Sequence, residues 1–146
     1  MARSKGVTIY GVYALVFGSI NGVSNLVLAI KPELVTAMYN VSAEDLPDFW
    51  LLRMLGAALI GFLLFGAGLG CFGLKRWGRT LAVVVSSTVV MLSLINLFFV
   101  GAVPPETQGS FMLGSVLAPV LLNGGLLWFF TRPTVVAQFR PPESTG

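Results

Sequence analysis

Four long apolar runs alternate with short polar segments along the chain. Val7 to Ile30 forms the first. The second follows Arg53, after which no charged residue occurs until Lys75. Thr80 to Val103 is the third and Phe111 to Thr131 the fourth. Each run approaches or exceeds the roughly 20 residues that one helical crossing of a bilayer requires. The pattern predicts an all-α fold: a polytopic membrane protein whose four-transmembrane-helix bundle forms a single domain over 1–146. The helices are expected at about 7–30, 49–74, 80–103 and 111–131, with a short cytoplasmic tail over 132–146. A signal peptide is the competing reading of the first run. No convincing small-x-small cleavage site precedes Lys31, so the run reads as a retained helix.

The second and third runs are separated by Lys75, Arg76, Trp77, Gly78 and Arg79. Three cations in a hairpin this short favour the cytoplasmic side, and an amphipathic tryptophan suits the headgroup layer. Alternation then assigns the other segments. Arg3, Lys5, Lys75, Arg76, Arg79, Arg132 and Arg140 fall inside, opposed by Glu143. Lys31 and Arg53 fall outside with Glu33, Glu44, Asp45, Asp48 and Glu106. Four helices with both termini cytoplasmic is the consistent topology.

The loops carry local signals. Pro32-Glu33 can open a short interfacial helix with Leu34, Val35 and Met38 on one side. Ser42 to Asp45 resembles a capping box, and Pro47 suits a first helical turn. Asn40-Val41-Ser42 has the form of a glycosylation sequon. Pro104 to Gly109 is expected to be a short outer turn. Pro119 should kink the fourth helix, leaving a carbonyl for a neighbouring helix to satisfy. Beyond Phe139 the proline-rich tail should fray.

Composition agrees with the pattern. Hydrophobic residues make up 55% and charged residues 10%, far below the roughly 25% charged of a soluble domain. Mean hydropathy is +0.86. The pI near 9.4 does not point to nucleic acid, because the net charge is only +3 and the cations flank apolar runs. Cys71 is the single cysteine, so no intramolecular disulfide forms, and it reads as a small packing residue. The absence of histidine excludes His-ligated haem, His zinc sites and histidine acid–base chemistry. No cofactor is expected.

No Asp or Glu lies within an apolar run, where a proton relay or coupled-ion site would need one. No paired acids, metal cluster or activated nucleophile stand out, so the chain does not read as an enzyme. Arg53 lies about one turn inside the outer boundary. It reads as a snorkelling or ion-paired cation, or as an anchor for an anionic headgroup. Asn21, Asn25, Asn96 and Asn123 are the intramembrane polar set. Asn21 and Asn25 share a helix face. Asn21 and Asn123 fall near mid-membrane, Asn25 and Asn96 further out, and Ser19, Ser24, Thr88 and Ser93 add hydroxyls. The set serves either interhelical hydrogen bonds, worth about 0.6 kcal/mol each, or a polar pocket for a lipid, quinone or small solute. Gly18 and Gly22, Gly66 and Gly70, and Gly114 and Ala118 have the small-xxx-small spacing that lets helix backbones approach closely.

Two pieces carry a resemblance: the hairpin Arg76-Trp77-Gly78-Arg79, and the ending Leu127-Trp128-Phe129-Phe130-Thr131-Arg132-Pro133-Thr134-Val135. Together they resemble small uncharacterised bacterial four-helix inner-membrane proteins that end in an aromatic helix followed by R-P-x-V. The resemblance implies an inner-membrane location and transfers no site residues. The expectation is a non-catalytic structural or accessory subunit of a larger membrane assembly, in contact with lipid and with a membrane-protein partner or its own copies. The alternative is a small oligomeric transporter, channel or lipid/quinone-binding protein using the asparagines.

Overall fold

The computed structural model describes residues 4–39, 50–102 and 105–139, and these are nearly all helical. The helices are α1 (Lys5–Ile30), α2 (Pro32–Tyr39), α3 (Trp50–Phe72), α4 (Arg76–Asn96), α5 (Pro105–Met112), α6 (Ala118–Thr131) and α7 (Pro133–Gln138). A 3₁₀ segment, Leu97–Ala102, follows α4, and a π-turn, Leu113–Leu117, joins α5 to α6. Four helical stretches are long and apolar enough to cross a membrane: Lys5–Ile30, Trp50–Phe72, Arg76–Asn96 and Gln108–Thr131.

Local sequence explains the boundaries. Ser4 caps α1 by accepting the Val7 amide at 3.3 Å. The α3–α4 hairpin is built by Gly73, Leu74 and Lys75. The Lys75 amide donates to Gly70 at 2.8 Å and the Leu74 amide to Cys71 at 3.1 Å. Leu74 takes the left-handed conformation (φ 49°) that usually calls for glycine. Its side chain packs against the core, which offsets the roughly 1–2 kcal/mol cost of that conformation.

Three sequence expectations are corrected. The third long helix starts at Arg76, not near residue 80, so the basic cluster forms its first turn instead of a loop. The stretch from Pro105 to Gly109 belongs to α5 and is not a turn. Pro105 occupies the first helical position, where its missing N–H is no loss, and Glu106 complements the helix dipole. Arg132 onward is no simple polar tail either, because α7 folds back and buries Val135 and Phe139. Pro32–Tyr39 is helical as expected. The capping box, the sequon and Pro47 lie outside the described residues, as does the tail beyond Phe139.

The spans pack in the order α1, α3, α4, α6. Glycine decides how closely. A Cβ on Gly18 would sit 2.8 Å from the Gly61 oxygen and the Phe65 Cα, and one on Gly61 would strike the Gly22 backbone. Such backbone contact is what small residues permit between helices in lipid. Gly70 of α3 and Gly78 of α4 oppose each other equally closely. Gly66, the other member of the Gly70 pair, and the Gly114–Ala118 pair behave differently. A Cβ on Gly66 would make only an ordinary 3.7 Å contact with Leu81, Gly114 faces open space, and Ala118 is exposed.

One cluster organises the bundle. Val7, Tyr10 and Ala14 of α1 meet Ala67 and Cys71 of α3, Ala82 of α4, Phe130 of α6, and Val135 and Phe139 from the final segment. The Tyr10 and Phe130 rings meet edge-on at 4.6 Å, and Phe130 and Phe129 are edge-on at 5.2 Å. The Ser4 amide donates to Gln138 Oε1 at 3.0 Å, so both ends of the described chain gather at the basic-hairpin end.

Candidate functional site

Each of the four asparagines donates its side-chain amide to a backbone carbonyl. Asn21 Nδ2 donates to the Phe17 carbonyl at 2.9 Å, Asn25 Nδ2 to Asn21 at 2.8 Å, and Asn123 Nδ2 to Pro119 at 2.9 Å. Each of these three satisfies the carbonyl four residues back in its own helix. Thr88 does likewise with Val84, and Ser19 bonds the Val16 carbonyl three residues back. Asn21 is exposed, whereas Asn25 and Asn123 are half-buried.

Asn96 differs from the rest. Its Nδ2 reaches the Ser115 carbonyl across the α4–α6 interface at 3.3 Å. Ser115 lies four residues before Pro119, the position whose carbonyl a proline cannot satisfy. The π-turn and the Asn96 amide together accommodate the break. The role is structural, and it is the task the sequence assigned to some neighbouring helix.

Helical register relates the other two spans. Asn21 is three turns from Tyr10 along one face of α1, and Asn123 is two turns from Phe130 along one face of α6. At 1.5 Å per residue, the two asparagines differ in depth by about 6 Å. Arg53 stands exposed in the first turn of α3, at the end opposite the basic hairpin. Its sequence neighbours Glu44 and Asp48 lie outside the described residues.

Polar side chains do gather at the basic end. Lys75 caps α4 without a side-chain hydrogen bond. Arg76 is exposed and Arg79 half-buried in the first helical turn. Arg79 Nε donates to the Phe130 carbonyl at 2.9 Å, satisfying one of the last carbonyls of α6. Thr80 Oγ1 donates to the Arg76 carbonyl at 3.2 Å. Against them lie Val136 and Phe139, and the five residues line a cavity of about 270 Å³. Trp77 and Trp128 are exposed at the same end, and the Arg132 guanidinium stacks 3.5 Å above the Trp128 ring. The carboxylates among the described residues, Glu33 and Glu106, belong to the opposite end. Lys5, Lys75, Arg76, Arg79 and Arg132 therefore face no carboxylate among the described residues.

Sequence reading marked Lys75, Arg76 and Arg79 for topology and missed Thr80, Val136 and Phe139. A signal was present. Pro133 suits a first helical position, and Val135 and Phe139 are four apart, as on one face of a short helix. Tyr10 was also missed as a polar core residue. It is 3% exposed, and its hydroxyl has no hydrogen-bond partner among the described residues. Comparison with protein-family models, with curated proteins and with solved structures finds no match to the chain.

Proposed function

We propose that this is a non-catalytic integral membrane protein, acting as a structural or accessory subunit of a larger membrane assembly. Its termini and basic hairpin face the cytoplasm of a bacterial cell, as the positive-inside bias favours. The observation that carries the reading is the packing deficit of the fourth span. Of the most apolar 18 residues of Gln108–Thr131, 11% are buried within the protein, against 17% for Lys5–Ile30 and 33% for Trp50–Phe72. Gly114, Ala118, Leu121, Leu122 and Gly125 lie exposed at helical spacing along it, and a Cβ on Gly114 or Gly125 would meet nothing within 4 Å. A partner helix seated there would gain the close backbone contact that Gly18 and Gly61 show inside the chain. The pore or ligand reading draws less support, because Asn21, Asn25 and Asn123 each spend an amide N–H on their own helix.

The test is purification of tagged protein from its native membrane in mild detergent, followed by intact-particle mass and protein identification. A stoichiometric foreign subunit that is lost in Gly125→Leu, with the chain still folded, is the expected result. A partner-free particle from wild-type membranes would overturn the reading.

A further inference from the structure

We propose that the cavity between the start of α4 and α7 is a binding site for the phosphodiester of an anionic membrane phospholipid. The argument begins with unbalanced charge. The first turn of α4 has no acidic residue and carries Arg76 and Arg79 at the positive end of a helix dipole, an arrangement unfavourable in isolation. An anion resolves both problems at once. The Gly78 and Arg79 amides already donate to the Lys75 carbonyl, so the donors are the two guanidinium forks, the type that holds phosphate oxygens.

The geometry is partly preorganised. The Arg79–Phe130 bond uses Nε and leaves the two terminal nitrogens of that guanidinium beside the cavity. The Arg76 guanidinium makes no hydrogen bond or ion pair among the described residues. Val136 and Phe139 supply an apolar wall on the other side. That wall is held in place because Val135 and Phe139 are anchored in the core and Gln138 is tied to Ser4. At about 270 Å³ the cavity is smaller than the roughly 300–1,000 Å³ of ordinary ligand pockets. It suits a headgroup whose acyl chains remain outside.

Two features favour a lipid over a soluble phosphate. Exposed Trp77 and Trp128 mark this end as headgroup depth. One wall is apolar, as the glycerol and first methylenes of a lipid require. The nearby cations also select among lipids. Lys5, Lys75 and Arg132 repel a headgroup ammonium, so a net-negative phosphodiester is preferred to a zwitterion.

Native mass spectrometry of the full chain in detergent, titrated with phosphatidylglycerol or phosphatidylcholine, tests the site. Wild type is expected to bind one phosphatidylglycerol at least about tenfold more tightly than phosphatidylcholine. Arg76→Gln should lower phosphatidylglycerol affinity about tenfold, the scale of a lost charge-assisted contact. Lys75→Gln removes the same charge just outside the cavity and should change affinity by no more than about twofold. Since Arg79 also holds α6, Arg76 is the informative position. Equal losses in Lys75→Gln and Arg76→Gln would reduce the effect to diffuse surface charge and overturn the site. Equal binding of the two lipids would overturn it as well. So would Arg76-dependent displacement of the lipid by millimolar inorganic phosphate, which would make the occupant a soluble anion.

Discussion

The two ends of this bundle are built differently. At the basic end, α1, α3, α4, α6 and α7 converge on Tyr10, Cys71, Ala82 and Phe130, with long-range contacts between residues as distant as Ser4 and Gln138. At the opposite end, the described helical segments are short or irregular, and Phe98 and Leu113 stand exposed. In a membrane, which its four long apolar helices could cross, both can belong to one stable protein. Apolar side chains gain little by leaving hydrocarbon for a helix interface, so contact concentrates where small residues or polar groups reward it. The basic end has Gly70 against Gly78 and the Arg79–Phe130 bond. In the far half, α4 and α6 are joined by the Asn96–Ser115 bond around a proline break. The lesson is that packing density in this protein follows backbone proximity, not hydrophobicity.

Substitutions at glycine should separate packed from unpacked faces most sharply. Gly61→Leu should cost about 3 kcal/mol or abolish folding, since its side chain would displace the Gly22 backbone. Gly114→Leu should stay within about 0.5 kcal/mol in the isolated chain, because open space receives it. Reversible unfolding in mixed micelles, followed by circular dichroism, reads both. Similar losses at the two positions would erase the contrast between packed and unpacked faces.

A smaller effect of opposite sign is expected at Tyr10. Its hydroxyl is buried without a partner among the described residues, so Tyr10→Phe should stabilise the protein by about 1 kcal/mol while keeping the edge contact with Phe130. A destabilised variant in the same assay would mean that the hydroxyl is satisfied.

The asparagines should give the smallest changes. Asn96→Leu removes the interhelical bond to Ser115 and should cost about 0.6 kcal/mol. Asn21→Leu removes a bond within one helix and should be close to neutral. A larger loss at Asn21 than at Asn96 would restore the intramembrane polar set as a functional candidate.

Much of the fold was legible because a bilayer demands a minimum apolar length, and Lys75, Arg76 and Arg79 interrupt the longest apolar stretch cleanly. The close approach at Gly18 and Gly22 was also visible. Their partner Gly61 was not, because spacing within one helix does not say which residue of another helix lies opposite. The same limit misplaced Gly66 and Gly114, whose spacing resembles Gly18 and Gly22 but where an added Cβ would meet no backbone. The basic cavity was hidden because its two walls are separated by more than fifty residues of chain.

By itself, the order of apolar and charged residues determined four helices long and apolar enough to cross a membrane and the gathering of cations at one end. Those are consequences of transfer free energies, which act residue by residue. Tertiary structure alone decided that Asn96 serves the carbonyl left by Pro119, that α7 folds back into the core, and that Arg76 and Arg79 share a cavity with Val136 and Phe139. Each of these depends on which helix faces are brought together, and helix propensity and hydropathy carry no information about pairing across the bundle.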